Sequence, residues 1–240
     1  MCTVTFIPGG GGGFILSSSR DEFPDRKISG IVCREAKNGP IVFPQDSWEG
    51  GTWIAADARG FVLCLLNGAF DRHERIPPYR KSRGIMLLEL MAADAIPEYF
   101  RAYNLAGIEP FTLIMAGKTV LWEFRWDGRR RYLRPCDPGT KQIWSSPTLY
   151  CEQARKRREA WFADWLGDGP EYSREAALDF HCGAGGGDTH DGLVIDRSGL
   201  VRTVSITQVV ARHGASCLYY FDLCAGAPRL IEEVPIGPRK

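Results

Sequence analysis

Apolar and polar positions alternate with a period of two over several short runs of the chain, and that pattern predicts strands. "CTVTFI" and "FILSSS" are two such runs, separated by "PGGGGG", which predicts a hairpin with a loose tip. "GGTWIAADARGFVLCLLNG" predicts two more strands joined by a tight turn at "DARG", where Asp57 and Gly60 flank the reversal. "FTLIMAG" and "KTVLWEFRWDG" predict a third pair around "GK", and "LVIDRSGLVRTVSITQVV" and "SCLYYFDL" supply the last strands. The stretch before "GGTW", rich in Pro and Gly, reads as irregular.

Helical spacing replaces alternation in three places. "SRGIMLLELMAADA" carries apolar residues at helical intervals from Ser82 to Ala95, and "PEYFRAYNL" continues with a proline suited to a helix start. "YCEQARKRREAWFADWL" predicts an amphipathic helix whose cationic middle faces solvent and whose Trp and Phe face inward. Strands at both ends with helices between predict an α+β fold of antiparallel sheets layered by helices, with residues 1–240 as a single domain.

Composition narrows the function classes. Thirty basic residues against 29 acidic ones leave a net charge of +1, so no bulk field points to nucleic acid or an anionic membrane. No run approaches the roughly 18 apolar residues of a membrane span, and the start lacks a signal peptide's basic and apolar regions. Eight cysteines are scattered without a CxxC, which suits reduced thiols and a cytoplasmic location.

Two motif readings fail on spacing. The glycine tracts "GGGGG" and "CGAGGGDTHDG" lack the Lys and Ser/Thr that follow a phosphate-binding loop, and both read as loops. His181, Cys182 and His190 lie near Asp188 and Asp191, yet their spacing matches no two-pair zinc framework, so the segment reads as a water-facing loop. His73 and His213 have no evident partner. No metal or cofactor is therefore expected.

Cys2 is the candidate nucleophile. Removal of the initiator methionine would leave one residue carrying both a thiol and a free α-amine, whose ordinary pKa of about 7.7 to 8.0 suits a general base near neutrality. The order "MC", "FILSSSRDEF", "GGTW", "LLNG", with later echoes at "WSSPTLYCEQARKRREAWF" and "GGGDTHDGLVIDRSGLV", resembles the family named for its Asn-Arg-Asp-Glu motif, also called the transport and Golgi organisation protein 2 family. The resemblance implies an N-terminal-nucleophile hydrolase fold, a four-layer αββα sandwich.

It also implies roles for particular residues. Cys2 would be the nucleophile, Arg20 would depress its thiol pKa, Asp21 would hold its α-amine, and Asn67 would donate to the oxyanion. These four are expected to converge in one cleft walled by "GGTW". Trp53, Ser146 and His190 are the substrate-binding candidates. Ser19, Ser146 and His190 depart from the family pattern. Two readings follow for the cleft: a cysteine amidohydrolase acting on a linear amide, or a non-catalytic carrier of a hydrophobic small molecule such as haem or lipid, with Cys2 or His190 as a ligand to haem iron.

Overall fold

The computed structural model describes residues 3–167, 172–212, 215–224 and 226–237. Met1, Cys2 and His213 lie outside the described residues. In chain order the elements are β1 (Thr3–Pro8), β2 (Phe14–Glu22), β3 (Ile28–Arg34), β4 (Ile41–Asp46), β5 (Ile54–Asp57), β6 (Val62–Asn67), α1 (Arg83–Met91), α2 (Ile96–Ala102), β7 (Phe111–Gly117), β8 (Val120–Trp126), β9 (Arg131–Cys136), β10 (Gln142–Ser145), α3 (Glu152–Gly167), α4 (Arg174–Gly183), β11 (Asp196–Arg197), β12 (Val201–Arg212), β13 (Ala215–Asp222) and β14 (Arg229–Ile236).

The strands form two antiparallel sheets. The first runs β10-β1-β2-β12-β13-β14, with β11 paired to β12, and the second is a meander from β3 to β9. Between the sheets lies an apolar core that includes Val4, Phe6, Leu16, Trp53, Ile54, Val62, Ile114, Val209 and Leu218. α1 packs on β5 and β6 of the second sheet, while α3 packs on β10 and α4 on β2 and β12 of the first. These contacts make the α+β arrangement of layered antiparallel sheets that the residue pattern predicts, and the four-layer αββα sandwich that the resemblance implies.

Local chemistry explains the elements that position the site. Ser82 caps α1 by accepting from the Ile85 N–H, and Pro97 stands in the first turn of α2. The "DARG" turn closes as expected, with the Asp57 carboxylate accepting from the N–H groups of Arg59 and Phe61 and with Gly60 at φ 85°. The glycine tip of the first hairpin is closed by the Gly9 N–H donating to the Gly13 C=O at 2.7 Å. The stretch before "GGTW" is not irregular, since β3 and β4 pair across it with a register shift between Ile28 and Gly30. Among the described residues no helix is long and apolar enough to cross a membrane.

Candidate functional site

Alternation along β2 decides what faces where. Phe14, Leu16 and Arg20 point between the sheets, whereas Ser17, Ser19 and Asp21 point toward the helices. Arg20 and Asp21 are adjacent in sequence and serve opposite faces of one sheet.

Arg20 belongs to a cavity of about 290 Å³, together with Trp53 and Asn67. Its guanidinium donates to Asp46 at 2.7 Å and to the Arg26 carbonyl at 2.6 Å, and lies 4.5 Å from the centre of the Trp53 ring. Burial lowers the Arg20 pKa, and Glu22 and Asp46 oppose that effect. Burial also works against the Asp46 carboxylate, yet hydrogen bonds from Arg26 and the Glu49 N–H hold it below its ordinary range. The guanidinium is thus held in place by Asp46 and the Arg26 carbonyl, with Asp46 and Arg26 also lining the cavity.

"GGTW" forms the cavity wall through Gly51, Thr52 and Trp53. The glycine is required by contact: a Cβ on Gly51 would sit 2.7 Å from the Gly84 carbonyl carbon, where this wall meets the start of α1. The indole N–H of Trp53 is buried without a hydrogen-bond partner among the described residues. A second cavity, of about 720 Å³, adjoins the first through shared residues including Asn67, Arg83 and Glu109. There Glu109 is gripped by His73, Arg75 and Arg83, so His73 does have a partner. Burial lowers the Arg83 pKa, with Glu109 opposing.

The remaining predicted residues are distributed differently. Asp21 lines neither cavity; its carboxylate accepts from Tyr150 Oη at 2.5 Å and from Thr203 Oγ1 at 2.6 Å on the helix side of the sheet. Arg20, Trp53 and Asn67 thus line one cavity, while the Asp21 side chain faces the other side of β2, because neighbouring strand residues face opposite ways. Ser146 is wholly buried and donates to the Asn67 carbonyl at 2.8 Å, which fixes the end of β6 and leaves Ser146 out of the lining. His190 is exposed, pairs with Asp191 at 3.0 Å and lines neither cavity. Cys2 lies outside the described residues, and β1 begins directly after it with Thr3 opposite Ser19, one residue from Arg20.

The helix side of the first sheet holds residues that pattern reading placed in water. His181 is fully buried on α4, with Thr5 Oγ1 at 2.8 Å from one ring nitrogen and Ser19 Oγ at 2.7 Å from the other. Burial, reinforced by Arg158, lowers its pKa to about 3, so the ring is neutral. Arg158 in the cationic middle of α3 is also fully buried, which corrects the solvent-facing reading for that residue, whereas Lys156 and Arg157 are exposed as expected. The signal was present: Ala154, Arg158 and Phe162 share one helix face at intervals of four, and all three are buried.

Residues 1–132 match the family model described as Transport and Golgi organisation 2. Among solved structures, the chain is similar to the C2A mutant of conjugated bile acid hydrolase from Clostridium perfringens, at 10% identity and TM-score 0.55, covering 100% of this chain and 97% of that one. It is also similar to the Caenorhabditis elegans ortholog of N-acylethanolamine-hydrolyzing acid amidase, at 11% identity and TM-score 0.58, covering 87% and 92%. No curated protein sequence matches the chain. At these identities the likeness establishes the fold, which is that of N-terminal-nucleophile hydrolases.

Proposed function

The chain belongs to the Transport and Golgi organisation 2 family, and from that premise we propose that it is an N-terminal-nucleophile hydrolase that cleaves a linear amide with Cys2. The observation that carries the reading is the gathering of Arg20, the "GGTW" wall and Asn67 around one cavity at the sheet end where β1 starts. Residues 1–240 act in this reading as one domain.

Removal of Met1 frees the α-amine of Cys2. That amine takes the thiol proton, the thiolate attacks the amide carbon, and the Asn67 side chain donates to the oxyanion, an interaction typically worth about 3 kcal/mol. Collapse of the tetrahedral intermediate transfers the proton to the leaving amine and leaves an acyl-thioester, which water hydrolyses to free acid and thiol. Arg20 favours the thiolate, and Asp21 orients the α-amine from the other face of β2. Ser146 serves by fixing the backbone of Asn67, and His190 has no part.

The lining favours a polar substrate over the haem or lipid of the carrier reading. Among the described residues Leu65 is the only wholly apolar side chain lining the smaller cavity, beside the aromatic Trp53 and Tyr79, while Arg20, Arg26, Arg83, Asp46 and Glu109 are charged. The test is hydrolysis of a panel of N-acyl amides by wild type, Cys2→Ala and Cys2→Ser. Turnover should vanish in Cys2→Ala and fall at least about 100-fold in Cys2→Ser, whose hydroxyl is a far weaker nucleophile near neutral pH. Tight haem or acyl-chain binding with no Cys2-dependent product would replace the reading with the carrier.

A further inference from the structure

We infer that Arg158 is a positioning residue for the N-terminal nucleophile, an inference that rests on the hydrolase reading. Arg158 is fully buried and makes no ion pair with a carboxylate among the described residues. A buried cation without a paired anion is costly, and an apolar side chain of similar volume would fill the same space more cheaply.

Its contacts show what the charge does. The guanidinium donates to Thr3 Oγ1 at the start of β1, to the Gly192 carbonyl, and to the Asp191 carbonyl at 3.1 Å. Its carbon lies 3.4 Å from the centre of the Tyr150 ring, in cation–π geometry. The hydroxyl of the same tyrosine donates to Asp21 at 2.5 Å, and Thr203 donates to the other carboxylate oxygen at 2.6 Å. Arg197 lies 5.2 Å from the Tyr150 ring centre, and neutral His181 joins Thr5 to Ser19 beside this cluster. One rigid fork therefore holds the residue covalently joined to Cys2 and, through Tyr150, the carboxylate assigned to its α-amine. Lysine carries the same charge and lacks that fork.

The experiment compares Arg158→Lys and Tyr150→Phe with wild type, each first checked for folding by circular dichroism and thermal melting. Amide turnover and the pH profile of Cys2 alkylation by iodoacetamide, read by peptide mapping, are both measured. Arg158→Lys should lower kcat by about tenfold or more with KM within about twofold, since loss of alignment acts on the reacting groups and not on substrate binding. Its Cys2 alkylation midpoint should move from the wild-type pH. Tyr150→Phe, nearly isosteric, should do the same to a smaller degree and keeps the question open to test if Arg158→Lys does not fold. Folded variants with wild-type kcat and an unmoved Cys2 profile would overturn the inference. If wild type shows no Cys2-dependent turnover, the hydrolase reading fails by itself, and the alkylation profile alone then decides: a shifted midpoint supports the hold of Arg158 on the N-terminus, and an unshifted one removes it.

Discussion

Beneath α1 and α2 the second sheet meets its helices through Leu63, Leu65, Leu87, Met91, Phe100, Phe111 and Phe124, a continuous apolar layer. Beneath α3 and α4 the first sheet presents Thr3, Thr5 and Ser19 to Arg158 and His181, Asp21 to Tyr150, and Gln208 to Ser17 and the Arg174 carbonyl, with apolar contacts confined to smaller clusters around Tyr150, Phe162 and Ile206. Both layers are buried, so the difference is one of chemistry and not of exposure. Burying apolar area stabilises without fixing direction, whereas buried hydrogen bonds are directional and each unmet donor or acceptor is costly. The layer that is dearer to build is the one adjoining the proposed nucleophile.

The largest effect expected of a single substitution lies in the apolar layer. Phe100 stacks on Phe124 at 4.7 Å and meets Phe111 edge-on at 6.1 Å. Phe100→Ala should cost about 3–5 kcal/mol in urea unfolding while leaving turnover per folded molecule near wild type. A loss of activity without loss of stability would break the division between the layers.

In the polar layer the balance should reverse. Thr203→Val removes a hydroxyl that donates to Asp21 and also accepts from the Ile195 N–H at 2.9 Å. It should cost about 1–3 kcal/mol of stability, and its effect on kcat should exceed that of Phe100→Ala. Equal kcat in the two variants would show that the polar layer is only structural.

His181 gives the same comparison a pH signature. Its folded pKa of about 3 lies below the ordinary 6.5, so the unfolded chain takes up a proton that the folded chain refuses. Stability is thus fully present above about pH 6.5 and is lost as pH falls toward 3. Between pH 7 and pH 5 this single group should remove about 2 kcal/mol. Urea midpoints at both pH values should separate more in wild type than in His181→Gln; equal separations would contradict the buried neutral ring. The smallest effect is at the α1 cap, where Ser82→Ala should cost about 1 kcal/mol and leave pH dependence unchanged, as read by thermal melting.

The strands and helices that sequence made legible are those whose two faces differ. β1, β2, β5, β6, β7 and β8 alternate or bury continuous apolar runs, and α1 carries Met86, Leu87, Leu90 and Met91 on its inner face. β3 escaped because Ser29, Gly30 and Cys33 give no clean alternation. β14 escaped because it is an edge strand with exposed Leu230 and Ile231, two glutamates and Pro235. α4 escaped because its buried face is Ala177, Phe180 and His181, and a histidine next to a glycine-rich tract resembles a loop. Within the site, Arg20, Trp53 and Asn67 were legible through motif order. Asp46 and Glu109 were not, because a carboxylate that locks an arginine across the fold carries no mark in its local sequence.

The most direct test of the central claim is mass spectrometry of the protein trapped during turnover. Intact mass should show loss of Met1, and rapid acid quenching with a slow N-acyl amide should add one acyl group, mapped to Cys2 and absent in Cys2→Ala. Active protein that retains Met1, or an acyl group mapped to any other cysteine, would contradict it.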